Sequence, residues 1–300
     1  MRILVTGSNG QLGNELHRLI ATGAAEIGPV RGYEDAKVLY ADADTLDITD
    51  AAAVESFFAA HSFDAVINCA AMTNVDGCEA AEDAAYKVNA EGAANLARAC
   101  ALRGAKLVQV STDYVFPGTE TGDRVETDET APLSAYGRTK LVGEQLALKL
   151  NEKTFVVRTA WLYGYVGGNF VKTMLRLAKE REGMTVVDDQ VGNPTSANDL
   201  AYEILQLLPT SQYGIYHCTN NGVCSWADFA KAIVEGAGYD PVIVTPCSSA
   251  EYAEAHPDAA RRPAYSALRN RRLEETIGDE MRPWRDALAA YLANLTALEG

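Results

Sequence analysis

The chain has 300 residues, 48% of them hydrophobic, and a formal charge of −15 at pH 7. This length and apolar content suffice for a large buried core, in one large domain or two smaller ones. A surface this acidic repels nucleic-acid backbones, which argues against a nucleic-acid partner, but a local basic site can still bind a small anion.

Cysteine usage and hydropathy indicate a reducing compartment. The six cysteines form no CxxC pair and four histidines accompany them, which argues against a structural zinc site. The stretch MRILVTGSNG contains no signal region with a cleavage site, and no uncharged apolar stretch is long enough to predict a membrane span. We therefore expect a cytoplasmic protein that does not bind membranes.

In chain order, apolar strands alternate with helices through the first half of the sequence. Strands are predicted at 2–6, 37–41, 63–69, 106–111 and 154–158, and helices at 10–21, 50–60, 80–103 and 134–150. The connection at 26–36 is longer than a compact unit needs. Continuous apolar strands between helices are typical of a parallel sheet covered on both faces. We therefore predict an α/β fold with a Rossmann-like doubly wound sheet.

The alternation weakens from about residue 160. The stretches GGNF, GNPTS, GIYHC and RRPAY are typical of a smaller and less regular unit. We predict a dinucleotide-binding domain over residues 1–160, to which later segments return. Residues 161–300 are predicted to form mainly a substrate-binding domain that is interleaved with the first.

A glycine-rich turn directly follows the first strand. TGSNGQLG places Gly7, Gly10 and Gly13 in a GxxGxxG pattern, with Gln11 and Leu12 between the last two. Gly7 permits a tight turn, Gly10 allows a pyrophosphate to approach, and Gly13 lets the helix pack on the strand. Because the helix N-terminus also offers free N–H groups to phosphates, we predict that this turn binds NADPH or NADH.

The region after the second strand should select between the two cofactors. Asp42 and Asp44 stand there, and an acidic group favours NAD through the ribose hydroxyls, whereas Arg31 could fold back toward a 2′-phosphate. The choice between NADH and NADPH therefore stays open. In LDIT, Asp47 and Ile48 can flank the adenine; alternatively, Asp47 caps the next helix.

SAYGRTK places Tyr136 and Lys140 four residues apart, on one face of a predicted helix. A cation near a phenol favours the phenolate, so we expect Lys140 to lower the pKa of Tyr136 for acid–base catalysis near pH 7. YxxxK alone is a weak signal, but Thr112 in STDYVF adds a hydroxyl at the end of a predicted parallel strand, where ligands bind. Alternatively, the Thr112 hydroxyl only caps a turn.

The order of these features resembles the extended short-chain dehydrogenase/reductase family. The resemblance implies that Thr112, Tyr136 and Lys140 form the catalytic set. Tyr136 would be the general acid of a reduction, and Lys140 would also hold the nicotinamide ribose. It further implies that NCAAMT lines the cofactor and that a helix asparagine lies near the active site; these residues are Ala70, Ala71, Met72, Thr73 and Asn89.

Motifs along nearly the whole chain resemble, more closely, the members of that family that reduce dTDP-4-keto sugars. These motifs include GSNGQLG, STDYVFPG, PLSAYGRTKLVGE, DDQVGNPTSANDLA and ARRPAYSAL. The resemblance implies reduction of the C4 ketone of dTDP-4-dehydro-β-L-rhamnose to dTDP-β-L-rhamnose with NADPH or NADH, the last step of dTDP-L-rhamnose biosynthesis. The residues expected at this nucleotide-sugar substrate are Thr112, Asp113, Trp161, Asn169, Arg261 and Arg262.

These substrate residues also have simpler interpretations. Arginines fork onto phosphate oxygens, which suits a nucleotide diphosphate, but Arg261 and Arg262 could equally be a surface pair. Trp161 could be a core aromatic. Residues 193–195 are expected to line the same cleft as Asn169.

Some relatives in this family bind magnesium through glutamates at a dimer interface. Glu15 matches one such position, but Asn198 stands where the pattern has a glutamate. The pattern leaves Mg²⁺ open as a cofactor but does not favour it, because a carboxylate on a helix face explains Glu15 without an ion. We therefore predict no metal ligands, and either a monomer or a homodimer.

Two other functions fit the same fold. A nucleotide-sugar epimerase or dehydratase needs further acids and bases, but Tyr114, not a glutamate, follows Asp113. A non-catalytic nucleotide-binding regulatory subunit would not need Thr112, Tyr136 and Lys140 together.

Overall fold

The computed structural model describes residues 1–257 and 259–299. Its strands, numbered in chain order, are β1 (Arg2–Thr6), β2 (Lys37–Ala41), β3 (Ala65–Asn68), β4 (Lys106–Thr112), β5 (Thr154–Thr159), β6 (Leu162–Tyr163), β7 (Met184–Val187), β8 (Val191–Gly192), β9 (Thr195–Ser196), β10 (Gly214–His217), β11 (Cys224–Ser225) and β12 (Val244–Cys247). Six of them form a parallel sheet in the order β10-β5-β4-β3-β1-β2. The predicted α/β fold is confirmed.

The strand order creates a crevice at one end of this sheet. The chain passes from β1 to β2 and then returns to the other side of β1 as β3. The turns after β1 and β3 therefore leave the sheet in opposite directions. Ligands of open parallel sheets bind at such a switch point, beyond the carboxyl ends of the strands.

Helices cover both faces of the sheet. They are α1 (Gln11–Thr22), α2 (Ala51–Ala60), α3 (Val75–Ala80), α4 (Glu82–Tyr86), α5 (Ala93–Arg103), α6 (Ala135–Leu150), α7 (Phe170–Glu180), α8 (Ala197–Leu207), α9 (Trp226–Gly236), α10 (Ser249–Ala255), α11 (Arg271–Thr276) and α12 (Trp284–Glu299). Short 3₁₀ turns occupy Asp113–Val115 and Pro241–Ile243. None of the helices within the described residues is long and apolar enough to cross a membrane.

Side chains of β1 show how the sheet separates two cores. Ile3 and Val5 pack with residues of α1 and α8, whereas Leu4 packs with residues of α2 and α5. This alternation follows from the two-residue period of a strand. Both faces are apolar because both are covered, which is why the strands read as continuous hydrophobic runs.

The predicted helix at 80–103 is wrong in detail. The chain breaks at Ala81, whose ψ of 57° is not helical, and Lys87–Gly92 forms a π-helical turn between α4 and α5. A π turn has no hydrophobic period of its own, so the sequence pattern cannot distinguish it from α-helix.

The long connection at 26–36 is a packed segment. Val30 and Tyr33 are buried, and the Tyr33 hydroxyl donates to the Leu205 carbonyl of α8 at 2.7 Å. Glu26 pairs with Arg282 at 3.0 Å, close to the start of α12. The segment therefore ties the first half of the chain to the second.

A further apolar core lies within the second half of the chain. It is formed by α7, α9 and α12, around Phe229, Trp284 and Tyr291. β10 nevertheless pairs with β5 in the main sheet, and α8 packs on α1. The domain limits at residue 160 stay a prediction.

Candidate active site

Two adjoining cavities lie at the carboxyl ends of the strands, one of about 290 Å³ and the other of about 510 Å³. Both are lined by Gly7, Gly10, Cys69 and Ala71, which belong to the turns after β1 and β3. The cavities thus meet at the topological switch point, where the fold predicts a ligand.

A side chain would meet different steric obstacles at the three glycines of the turn. Gly7 has φ +65°, and a Cβ there would lie 2.6 Å from the Ala70 nitrogen. A Cβ at Gly13 would lie 2.6 Å from the Gly7 carbonyl oxygen, so helix and turn touch backbone to backbone. At Gly10 the closest contact would be 3.2 Å, to the Gly7 carbonyl oxygen, which is tight but a smaller conflict than at Gly7 or Gly13.

This arrangement fits a dinucleotide. Gly10 is the N-cap of α1 and has no side chain to occupy the helix N-terminus. Gln11, Leu12 and Gly13 of the first helical turn line the larger cavity. Free N–H groups and the positive end of the helix dipole therefore face a space that can hold phosphate.

The smaller cavity lies between this turn and the loop after β2. Asp47 lines it, and its Oδ1 accepts hydrogen bonds from the Thr49 hydroxyl and N–H at 2.7 and 2.9 Å, which lower the pKa of the carboxyl. The alternative that Asp47 caps the next helix is wrong, because Asp50 caps α2. Leu46 and Ile48 also line this cavity, and both are largely buried.

The acidic residues after β2 differ in their contacts. Asp42 lines the smaller cavity, and its Oδ2 accepts from the Asn9 N–H at 3.0 Å, so this carboxylate braces the glycine turn. Asp44 and Arg31 are exposed and are not among the residues that line the cavity.

Residues of the predicted cofactor loop after β3 divide between the two cavities. Ala70 lines the smaller one, Ala71 lines both and Thr73 lines the larger one. Met72 is fixed by Asn89, which accepts from its N–H at 2.9 Å and donates to its carbonyl at 3.1 Å. Asn89 lies buried in the π turn and also donates to Thr139 at 3.1 Å, so it joins this loop to α6.

Thr112, Tyr136 and Lys140 all line the larger cavity. Thr112 ends β4, and α6 begins beyond it because Ser134 accepts from the Gly137 N–H at 3.1 Å as the N-cap. This cap places Tyr136 in the first turn of α6 and Lys140 one turn later. The structure therefore brings the predicted catalytic set together in one space.

A buried ion pair fixes α6 on the sheet below this site. Arg158 of β5 and Glu144 of α6 lie 2.8 Å apart, and both side chains are 2% exposed. Three hydrogen bonds join them, which satisfies charges that would otherwise be costly to bury. The orientation of the helix that carries Tyr136 is thus rigidly defined.

The expected effect of Lys140 on Tyr136 is wrong for this structure. Burial raises the pKa of Tyr136, and only a hydrogen bond with Thr112 opposes that shift. Lys140 Nζ instead donates to the Val110 carbonyl at 2.6 Å, and burial lowers its own pKa to about 8. Desolvation outweighs the cation because the phenol is enclosed while the ammonium is committed to the backbone.

Thr112 combines both roles considered for it. Its hydroxyl accepts from the Tyr114 N–H at 3.2 Å, which caps a 3₁₀ turn, and it donates to Asp113 Oδ1 at 2.8 Å. Burial raises the pKa of Asp113 to about 6, and the nearby Ser266 and Thr112 hydroxyls partly offset this. The Thr112 hydroxyl thus links Asp113 to the turn at Tyr114, and it lies close enough to Tyr136 to influence the pKa of the phenol.

Two buried hydroxyls and one carboxylate oxygen beside Thr112 have no protein hydrogen-bond partner within the described residues. They are Ser111 Oγ of β4, Thr159 Oγ1 of β5 and Asp113 Oδ2, and all three residues line the larger cavity. Buried polar atoms are rarely left unsatisfied in a folded protein, so these hydroxyls indicate a polar ligand or water in the cavity.

Some of the residues predicted to contact substrate line the larger cavity, whereas others hold the protein structure together. Trp161 lines the larger cavity with φ +46° and stacks on Trp226. Asn169 lines it too, but its side chain caps α7 and donates to Gln11 Oε1 at 3.0 Å. Asn193 is buried and fixes the backbone at Gly222 and Leu268, so its amide serves the protein structure.

The two predicted phosphate-binding arginines differ from each other. Arg262 pairs with Asp76 at 3.1 Å and donates to the Ala260 carbonyl. It also lies near enough to Tyr114, which lines the larger cavity, to lower the pKa of that phenol against the effect of burial. Arg261 is exposed. Neither arginine is itself among the lining residues, and whether either binds substrate stays a prediction.

Sequence reasoning missed Trp226 altogether. It stands at the start of α9 in a stretch without a recognisable motif, CSWADF, and reaches the cavity only through long-range packing. The available signal was local and structural: Ser225 and Asp228 have the spacing of a helix N-cap, which predicts where Trp226 begins a helix but not what it contacts.

Where some relatives have a metal-binding glutamate, this chain has the amide of Asn198. Asn198 Nδ2 donates to Glu15 Oε2 at 2.8 Å, and Arg18 contacts the same oxygen at 2.7 Å. Within residues 1–257 and 259–299 we find no group of three or more His, Cys, Asp or Glu residues placed to hold a metal ion.

Comparisons with known proteins agree with the motifs. The family described as RmlD substrate binding domain matches residues 1–297. A dTDP-4-dehydrorhamnose reductase of Mycobacterium tuberculosis is 44% identical over 298 residues, covering 97% of this chain and 92% of that protein.

Solved structures of similar proteins extend the match to the fold. A dTDP-4-dehydrorhamnose reductase from Clostridium acetobutylicum has a TM-score of 0.91 and 48% identity, covering 99% of this chain and 100% of that one. A dTDP-4-dehydrorhamnose reductase from Bacillus anthracis in complex with NADP has a TM-score of 0.90 and 42% identity, covering 98% and 99%. The resemblance drawn from the motifs is confirmed, and the chain belongs to the RmlD substrate binding domain family.

Proposed function

We propose that this chain is an oxidoreductase that reduces the C4 ketone of dTDP-4-dehydro-β-L-rhamnose to dTDP-β-L-rhamnose with NADPH or NADH. One observation carries the chemistry: Thr112, Tyr136 and Lys140 line the same cavity as the glycine turn. An acid for the substrate oxygen and a phosphate-binding helix N-terminus thus share one space. The relatives named for this reaction support the choice of substrate.

The cofactor is assigned to the glycine turn and the loops after β2 and β3. The N–H groups at the start of α1 would bind its pyrophosphate, and Asp47 and Ile48 would flank its adenine. Lys140, one helical turn beyond Tyr136, would hold the nicotinamide ribose. When bound, the reduced nicotinamide supplies the hydride that adds to the ketone carbon.

Tyr136 is assigned as the acid that protonates the substrate oxygen. Because burial raises the pKa of the phenol, Tyr136 stays protonated at neutral pH, which is the state that a reduction requires. Thr112 lies beside the phenol. Its hydroxyl donates to Asp113 Oδ1, and it would stabilise the negative charge that develops on the substrate oxygen by turning to donate to that oxygen instead. The role agrees with the general acid that the family resemblance implies for Tyr136.

Asp113 and Lys140 would influence the proton after it has been donated. Asp113 orients the Thr112 hydroxyl, since its Oδ1 accepts a hydrogen bond from that hydroxyl at 2.8 Å. Lys140 lies one turn further along the helix and would stabilise the phenolate once a ligand draws Nζ away from Val110. The prediction of a monomer or a homodimer is unchanged.

A coupled assay tests the proposal. The protein would be mixed with freshly made dTDP-4-dehydro-β-L-rhamnose and with NADPH or NADH in parallel, and cofactor oxidation and product would be followed. We expect stoichiometric formation of dTDP-β-L-rhamnose.

Two further arms address the other functions. Conversion of dTDP-glucose to a 4-keto sugar would indicate a dehydratase. Tight cofactor binding without oxidation of NADPH or NADH would indicate a regulatory subunit. Either result would overturn the proposal.

A further inference from the structure

Trp161 adopts a backbone conformation that an aromatic residue seldom takes. Its φ of +46° makes it the one non-glycine residue with positive φ in the described part of the chain. Bulky side chains in this region are strained and persist only where the surroundings enforce the conformation. Such strain commonly lies at functional sites, and Trp161 lines the cavity that holds Thr112 and Tyr136.

The contacts that enforce this conformation come from distant parts of the sequence. The indole of Trp161 stacks on that of Trp226, with ring centroids 3.6 Å apart and planes 7° from parallel. A Cβ at Gly192 would lie 2.7 Å from Trp161 Cε2, so the glycine backbone lies directly against the ring. The Trp161 carbonyl also accepts from the Thr195 N–H at 3.2 Å.

Trp226 is itself held rigidly. It is the first residue of α9, where Ser225 accepts from the Asp228 N–H at 3.0 Å and donates to Asp188 Oδ1 at 2.5 Å. Cys224 pairs with Gly192 between β11 and β8, which sets Trp226 near the glycine that touches Trp161. Phe170 packs at 4.5 Å on the Trp226 ring.

We propose that Trp226 is a positioning residue for the nucleotide-sugar substrate: it holds Trp161 in its left-handed conformation, so that the two indoles form one aromatic wall of the reaction cavity. This proposal rests on the proposed function. The C–H groups and the methyl group of a 6-deoxy-4-keto sugar are apolar, and an aromatic surface orients them while the keto oxygen meets Tyr136 and Thr112.

The test compares variants at two tryptophans of the same apolar core. Trp226→Ala removes the stacking partner, Trp226→Phe keeps an aromatic ring, and Trp284→Phe is the matched control. Trp284 is buried in the core that Trp226 borders, but it is not among the residues that line the reaction cavity. Gly192→Ala displaces Trp161 directly and leaves Trp226 in place.

We expect Trp226→Ala and Gly192→Ala to raise KM for the sugar nucleotide about tenfold, with a smaller fall in kcat and unchanged affinity for NADPH. Trp226→Phe should recover most of the loss. The near-ultraviolet circular dichroism of the stacked indoles should disappear in both Trp226 variants and remain in Trp284→Phe. Because this spectrum and calorimetric binding of dTDP-rhamnose need no turnover, they report on the pair even if the proposed reaction is wrong.

The proposal is overturned if the indole signal is lost while KM and dTDP-rhamnose affinity stay within about twofold of the wild-type values. It is equally overturned if Trp284→Phe raises KM as much as Trp226→Ala, since the effect would then be general loosening of the core. If Trp226→Ala does not fold, Trp226→Phe and Gly192→Ala decide by the same criteria.

Discussion

The reaction cavity has two sides that are built by different means. Thr112, Tyr136 and Lys140 lie at a strand end and in the first two turns of α6. Trp161 and Trp226, by contrast, meet across 65 positions of sequence, through small two-stranded pairings and ring packing. One side is encoded locally by motifs on regular elements, and the other by contacts that exist only in the folded chain.

This difference predicts how strongly substitutions on each side of the cavity affect activity. A regular strand and helix present side chains at fixed positions, so chemistry on them depends on single groups. An aromatic wall depends on several contacts that support one another. We therefore expect sharp losses from single substitutions on the first side and graded losses on the second.

The largest effect is expected at Tyr136. Tyr136→Phe removes the proposed acid and should lower kcat about 10³-fold, with NADPH affinity largely kept, as measured by steady-state oxidation and by titration of the cofactor. Tyr114→Phe is the matched control, because Tyr114 lines the same cavity and packs edge-on against Tyr136 at 5.8 Å. Near-normal turnover of Tyr136→Phe would remove the proposed mechanism.

Substitutions at two glycines of the turn should have different effects, one mainly on protein stability and the other mainly on cofactor affinity. Gly13→Ala forces a Cβ to 2.6 Å from backbone and should lower the free energy of unfolding by about 2 kcal/mol. Gly10→Ala meets the backbone at 3.2 Å, so it should destabilise the protein less than Gly13→Ala but bind NADPH about tenfold more weakly, because the methyl group enters the phosphate site. Urea denaturation measures the free energy of unfolding, and titration measures the affinity for NADPH. Equal changes of both quantities in the two variants would contradict this account.

Substitution of Arg262 tests whether residues other than Trp161 and Trp226 also bind the substrate. Arg262→Ala should raise the substrate KM about tenfold and change kcat less, because a charge-assisted contact to phosphate contributes mainly to binding. Asp76→Asn removes the anion that now holds Arg262 and should not raise KM. A fall in kcat larger than the rise in KM would place this arginine elsewhere in the mechanism.

The smallest effect concerns Asp113 and the pH dependence of stability. Its pKa of about 6 lies above the ordinary value of 3.8, so between these values the native state keeps a proton that the unfolded state releases. Stability from this group is therefore lost as pH rises through that window. The free energy of unfolding of Asp113→Asn, relative to wild type, should increase between pH 4 and pH 7, as measured by urea titration.

Substitution of Asp47 should change the pH dependence of stability in the opposite direction. Hydrogen bonds from Thr49 lower the pKa of Asp47, so Asp47→Asn should become relatively less stable as pH rises over the acid range. A parallel change in both variants would show that the Asp113 environment does not differ from an exposed carboxylate.

The side of the cavity that carries Thr112, Tyr136 and Lys140 was predictable from the sequence, because short motifs and hydrophobic patterns encode it. The glycine spacing predicted the turn, and the apolar runs predicted the strand that ends at Thr112. The four-residue spacing placed Tyr136 and Lys140 on one helix face. The direction of the Tyr136 pKa was predicted wrongly, because spacing shows which groups are near but not how much water remains around them or where Lys140 Nζ donates.

The second side could not be predicted in the same way. Trp226 has no motif, and its contact with Trp161 depends on the pairing of β8 with β11. Likewise, the π turn at Lys87–Gly92 places Asn89 against the cofactor loop, although the sequence there reads as ordinary helix. Both features arise from tertiary packing that overrides local pattern.

The most direct test of the central claim follows the transferred atoms. Wild-type protein and Tyr136→Phe would each be given dTDP-4-dehydro-β-L-rhamnose and NADPH deuterated at the nicotinamide C4, and the product would be analysed by NMR. We predict dTDP-β-L-rhamnose with deuterium at C4 of the sugar from the wild type, and almost none from the variant. Deuterium at another carbon, or equal labelling by both proteins, would contradict the account.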